Sequence, residues 1–506
     1  MTFIRESALF HLWLYLLALY DSSTLHRLLT RAGSWCSRQI NGSRLLAPLC
    51  REGCVARAWP ESLLCRALNF LVNLPLLLLQ KLYTLLSPIL EDSFFARFVF
   101  TLGDKTPSVQ FWLILVMWSI PFSRWNNAYS LAAFFLLLLL FHAGAMPHRE
   151  YRIALERVGF YPLLLFGSIF LAVVFSRLRS SSARFLVYHI SAALCVIVTV
   201  SAVRHVEDLK RLAAGAAGCA LTSSLYGIYQ RSQGVKVNPS NVDLRLALNV
   251  GMPGRVDSIF DNANTFAEVL VLLLPLTLAL ALCSKKLLGK AMAFCAFSLG
   301  VVALGMTYSR ASWVGFACAL TVMIFLWKPK LIPAFALFCC LAVPLLPTTI
   351  WNRILTIGNL SDASTLSRIP LYEGTLRLIK ASPISGAGLG TAAVQRYLSF
   401  HNLYRGDFPY VHAHNFYLQV WAEAGILGII SFLAAMLWGV KQAARTVRHC
   451  ESSAARTITC GAAAALCGIM VCGLADYPWN YPRVMCIFWF VFAMALAGIN
   501  LCSKTD

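Results

Sequence analysis

What most constrains this chain is a succession of apolar runs with only short charged breaks between them: 266–282, 291–306 and 312–327 follow one another almost without pause. A helix crossing a hydrocarbon core needs roughly 20 mostly apolar residues, and slightly shorter runs cross by tilt or with flanking residues. Backbone in lipid must satisfy its own hydrogen bonds, so only helices and closed barrels can span. These runs are continuously apolar and lack the ten-residue alternation of a barrel, which selects helices. The hydrophobic share of 58% and the mean hydropathy of +0.68 exclude an ordinary soluble domain, whose apolar share is about 45–50%.

The fold class expected is therefore all-α, a polytopic transmembrane bundle of about 12 spans. The spans are placed at 108–123, 128–146, 153–175, 185–203, 211–230, 265–283, 291–307, 311–327, 331–347, 415–440, 459–475 and 484–502. The stretch 68–103 is apolar but interrupted by Pro75, Pro88, Glu91-Asp92 and Gly103, and reads as one or two further spans or a re-entrant hairpin. The organisation expected is a basic amphipathic N-terminal region over 1–104, helices over 105–347, an extracytoplasmic loop with short helices over 348–414, and C-terminal helices over 415–506. No cleavable leader is read; the stretch 10–20 follows both Arg5 and Glu6 and is taken as a first helix or an interfacial segment.

Charge orients the bundle. With 441–458 in the cytoplasm, the short loops on that side hold fourteen Lys and Arg against six in the short loops opposite. Arg177, Arg179 and Arg184 run against this bias, and the long loops 231–264 and 348–414 then face outward. The net charge of +21 owes much to seven arginines between Arg27 and Arg66, which alternate with Leu, Trp and Cys. That mixture suits a helix on anionic membrane lipid, whereas a nucleic-acid tail would not need Trp35 and Trp59; no nucleic-acid partner is expected. Seventeen cysteines without a CxxC pair suggest neither a zinc site nor a disulfide scaffold.

Four polar clusters gather on the outward side. In Arg255–Thr265, Asp261 and Asn264 read as an N-cap with acidic first-turn residues, which leaves Arg255 and Glu268 without a role. Thr307-Tyr308-Ser309-Arg310 places Arg310 at the membrane face, either snorkelling to lipid phosphate or turned inward to an anionic substrate. Arg368 stands just before an external helix expected over 370–380, which carries Tyr372, Glu373 and Arg377 and is followed by the glycine-rich turn 382–390. That turn lacks the strand and the Lys-Ser/Thr pair of a nucleotide loop. The fourth cluster is Asp407–Asn415, with His412 and His414. A structural histidine pair and a loose metal site are both open readings, but the preferred one is proton transfer, because imidazole titrates near neutrality. Asn415, Gln419 and Glu423 continue as a polar stripe that should face the interior and line a cavity.

Two or three arginines and a histidine at one membrane face suit an anionic lipid substrate, since guanidinium forks grip phosphate oxygens. Thr307–Arg310, Arg368–Gly390 and His412-Ala-His-Asn-Phe-Tyr-Leu-Gln419 through Gly428, in that order, resemble the O-antigen ligase and O-antigen polymerase superfamily of membrane glycan transferases. The resemblance implies transfer of a glycan from an undecaprenyl-diphosphate-linked donor to an acceptor hydroxyl on a glycan, lipid or cell-wall acceptor. It further implies inversion, no metal and no cofactor, in the plasma membrane of a bacterial cell. Carried onto this chain, His414, Arg310 and Arg368 are the catalytic candidates. Arg255, Tyr372, Arg377, His412, Asn415, Gln419 and Glu423 are the substrate-binding candidates. The alternative is a transporter of lipid-linked glycan or anionic lipid, for which paired broken spans in two repeats would be the signature; no internal repeat is visible.

Overall fold

The computed structural model describes residues 18–42, 53–237, 249, 251–359 and 363–503, with His11 and Tyr15. Most of the stretch 10–20 and the arginines at 44 and 51 lie outside them. The chain forms two compact units, Met1–Trp59 and Pro60–Asp506. The first contains the amphipathic helix Thr24–Gly42, on which Leu28 and Trp35 are exposed.

The second unit is a helical bundle, with no strand among the described residues. Nine described helices are long and apolar enough to cross a membrane. Eight coincide with expected spans, and the ninth, Leu63–Asp92, runs through Pro75 and Pro88 without breaking. Proline is tolerated in such helices because neighbours re-satisfy the freed carbonyls. Ser93 ends that helix and caps the next, Phe94–Asp104. Thr106–Trp118, Phe160–Phe175 and Ile332–Ala342 are shorter than the spans expected there, and Val206–Ser232 is long but less apolar.

Pro482–Cys502 is the most enclosed of these helices, wrapped by Arg179–Ala202, Phe416–His449 and Ser453–Cys472. Lipid gives helices no hydrophobic reason to associate, so close backbone approach through small residues does the work. Gly315 and Gly468 show it: a Cβ on either would fall within 2.6–2.7 Å of the other's carbonyl oxygen. The cysteine spacing suggests no disulfide scaffold, and one bridge, Cys450–Cys502, is present among the described residues. Their helices, Phe416–His449 and Pro482–Cys502, finish at the same end of the bundle, a proximity that spacing along the chain does not reveal.

The opposite end carries the polar clusters. Buried Arg483 ties its turns together, donating to the carbonyls of Ile120 at 2.6 Å and Ile259 at 2.8 Å, with its guanidinium 4.1 Å from the Phe260 ring. Val256 N–H donates to Met306 at 3.2 Å, and Phe416 N–H to Gly473 at 2.7 Å. The external helix appears as Arg368–Ala381, with Leu371, Leu378 and Ile379 buried as the pattern demands.

The Phe416–His449 helix is not continuous. Gly425 adopts φ 67° and ψ −168°, and the turn 383–388 is spliced into the break. Ala387 N–H donates to Ala422 at 2.7 Å, Gly388 N–H to Glu423 at 3.1 Å, and Ile426 N–H to Pro383 at 2.9 Å. The glycine-rich turn thus supplies the hydrogen bonds that the helix gives up.

Candidate active site

The histidine segment is held by the helix it opens. Asn415 is the N-cap, accepting from Leu418 N–H at 3.0 Å while its amide donates to the Leu474 carbonyl at 3.0 Å. This bond, with that from Phe416 to Gly473, brings the turn between the last two helices beside the histidines. His414 Nδ1 then lies 3.1 Å from Asp476 Oδ1. The His414 N–H donates to His412 Nδ1 at 3.1 Å, and its carbonyl accepts from Tyr372 Oη at 3.3 Å. His414 sits at φ 44°, a left-handed conformation uncommon outside glycine and asparagine.

The two partners differ in exposure: the His414 side chain is 28% exposed and that of Asp476 14%. The carboxylate is the enclosed member and the imidazole edge the accessible one. Burial pushes the Asp476 carboxyl up, but the His414 hydrogen bond and charge, with His412 and Arg368 behind them, outweigh it and hold it below the usual carboxylate range. His412 goes the other way. Burial first, then His414 and Arg368, push it down to about 3, so it stays neutral and free to accept the His414 N–H.

Arg368 acts on both Asp476 and His412, and other arginines of the polar clusters are held by their own bonds. Arg310, at the start of Arg310–Trp327, donates to the Thr356 carbonyl at 2.7 Å and to its hydroxyl at 3.1 Å. Arg255 donates to the Thr307 carbonyl at 2.7 Å and to the Asn264 side chain. Burial, then the like charges of Arg353, Arg310 and Arg368 opposed by Asp476, lower the Arg255 guanidinium to about 10. Three arginines therefore bear on Arg255, and Asp476 is the carboxylate that opposes them there. Arg353, buried and donating to Asn249 at 3.1 Å, and Asp476 are the members that sequence reasoning missed. The signal for Asp476 was a lone carboxylate in a short turn on the same side as the other clusters.

The polar stripe faces inward. Gln419 and Glu423 are buried and hydrogen-bonded, and they do not line an open cavity. Gln419 Oε1 accepts from Ala413 N–H at 2.8 Å and Tyr410 Oη at 3.1 Å; Glu423 Oε1 accepts from Gln419 at 2.8 Å and Tyr477 Oη at 3.1 Å. The tyrosines come from outside the stripe and close it, so it works as a brace for the histidine loop. Arg377 is engaged by Glu373 at 2.8 Å and the Leu403 carbonyl at 3.0 Å. The N-cap before Ala263–Cys283 is Asn262, in place of Asp261 or Asn264.

His412, His414 and Asp476 each offer a ligand atom, and these lie within 4.8 Å of one another. Asp476 thus supplies the third group that the sequence lacks near the histidines. Both Nδ1 atoms are already engaged in hydrogen bonds, which leaves the arrangement equally suited to orienting an imidazole.

A polytopic helical bundle with a His–Asp pair among polar clusters at one end defines an integral membrane protein. Residues 269–433 match the family model described as O-antigen ligase, which supports membership of that family. The match supports a membrane glycan transferase of the ligase and polymerase type, from a family that acts on lipid-linked glycans in general. The matched segment includes Arg310, Arg368 and His414 and ends before Asp476. No curated protein matches the chain.

Proposed function

We propose that the chain transfers a glycan from an undecaprenyl-diphosphate-linked donor to a hydroxyl of a glycan, lipid or cell-wall acceptor, on the outer face of a bacterial plasma membrane. The observation that carries this reading is the His414–Asp476 pair at 3.1 Å, with Arg368 acting on its carboxylate and Arg255 feeling the charges of Asp476, Arg310, Arg353 and Arg368. His414, oriented by Asp476, takes the proton of the acceptor hydroxyl. The acceptor oxygen bonds to the anomeric carbon as the bond from that carbon to the diphosphate breaks, with inversion. The electron pair leaves with the lipid diphosphate, whose charge Arg310 and Arg368 stabilise. No metal is required in this scheme, because the imidazole is positioned by a carboxylate and the leaving group by guanidinium forks.

Arg310→Ala and Arg368→Ala should each lower transfer in reconstituted vesicles by about tenfold or more, with normal membrane insertion. Lysine should restore only part, lacking the planar fork, and EDTA should leave the wild-type rate unchanged. Full activity in both alanine variants would remove the arginines from the mechanism. Loss on chelation with recovery on adding a divalent ion would assign the His412–His414–Asp476 group to a metal.

Sidedness rests on the basic loops gathered at the other end. A cysteine introduced at Asp407 should react with an impermeant maleimide from outside intact cells, and one at Arg445 should not. The opposite pattern would put the donor on the wrong side.

A further inference from the structure

Arg177, Arg179 and Arg184 oppose the charge bias of the loops, and the transfer reaction gives them no task. The structure places Arg177 in a cavity of about 220 Å³, with Arg396, Tyr397, Phe400 and His401 around it and Ala387 in its wall. The Arg177 guanidinium stands 5.7 Å from the Tyr397 ring centre and 5.8 Å from that of Phe400. Its Nη1 is 3.1 Å from His401 Nε2. Rings at that range attract a cation electrostatically and hold it in place. No carboxylate lines the cavity, and among the described residues the Arg396 guanidinium makes no hydrogen bond or ion pair. Two cations set among aromatic faces fit a ligand with both an anionic group and flat carbon–hydrogen faces, which is an acidic sugar.

We propose that this cavity binds one acidic sugar unit of the acceptor glycan, its carboxylate or phosphate on Arg177 and Arg396 and its ring against Tyr397 and Phe400. The inference rests on the transferase reading. The volume is below the roughly 300–1,000 Å³ that encloses a drug-sized ligand, so it suits a single unit of a longer chain. Its place points to the acceptor. Ala387 belongs to the turn spliced into the helix at Ala422 and Glu423, one turn beyond Gln419. The helix Thr391–Phe400 directs Arg396 and Tyr397 to the cavity, while the neighbouring Gln395 donates to the Tyr410 carbonyl in the histidine loop. A chain held here is tied through Ala387 and Gln395 to the helix and loop that carry His414, with its acidic unit outside the reacting centre.

The test uses the full chain in nanodiscs of zwitterionic lipid. Its probe is a tetrasaccharide of alternating glucuronate and N-acetylglucosamine, followed by saturation-transfer NMR. The acid form should bind saturably and its carboxyl-reduced neutral form should not. Arg396→Gln, at an exposed residue with no polar partner among the described residues, should weaken binding by about tenfold, the worth of a charge-assisted hydrogen bond. Phe400→Ala should also weaken it, and His414→Asn should leave it unchanged. Absence of binding, equal binding of the neutral form, or full binding by folded Arg396→Gln would overturn the proposal. Competition by glycerol 3-phosphate as effective as the saccharide would assign the cavity to lipid headgroups and overturn it likewise. Because binding is read without turnover, failure here leaves the His414 mechanism standing. Conversely, an active His414→Asn would sink that mechanism and leave the binding result intact.

Discussion

His414→Asn should lower the rate of glycan transfer by about 10²–10⁴, the usual contribution of a general base. Asparagine is the informative replacement because His414 lies at φ 44°, where asparagine is tolerated and alanine adds backbone strain. Asp476→Asn should fall into the same range, since it removes the partner 3.1 Å from Nδ1. The double variant should be little worse than either single one, as expected of residues that act as a unit. His412→Asn should cost less: the histidine it replaces is neutral, and asparagine can still accept the His414 N–H. A His412→Asn enzyme that is dead beside an active His414→Asn would reverse the assignment.

Gly425→Val should abolish the folded protein. The residue's φ of 67° and ψ of −168° fall in a region essentially reserved for glycine. A Cβ there would also overlap the carbonyl oxygen of Ile384. Strain and overlap together should cost on the order of 3 kcal/mol or more. In detergent extracts the monodisperse peak should vanish or its melting midpoint should drop sharply. Gly289→Ala, in a helix with open space around it, is the matched control and should behave as wild type. A Gly425→Val protein with an unchanged midpoint would show that the turn 383–388 does not hold the helix break.

The bundle was legible because lipid imposes one simple pattern, and the spans near 265–283, 311–327 and 484–502 return almost residue for residue. The ends were less so. Phe416–His449 extends past the apolar portion because a helix can continue into water on an amphipathic face. Residues 153–159 drop out of their span because Gly159, at φ 90°, separates a short turn from Phe160–Phe175. Within the site, His412, His414, Arg255, Arg310, Arg368 and Tyr372 stood out as polar residues beside apolar runs. Asp476 did not, since its meaning depends on a bond to a residue 62 positions away. The Gln419–Glu423 stripe was legible as inward-facing, but its closure by Tyr410 and Tyr477 follows only from how distant segments meet.

The splice at Gly425 also dictates how this enzyme can be recombined with its relatives. Residues 383–388 and 422–426 exchange three backbone hydrogen bonds although they are far apart in sequence. A graft that moves the external loop alone would leave the helix carbonyls of another protein facing lipid without donors. The loop and the broken helix therefore form one transplantable block, running from the start of the turn through the second half of the helix. Chimeras designed to exchange specificity should succeed when their crossovers fall before 382 and after 428, and fail when either falls between.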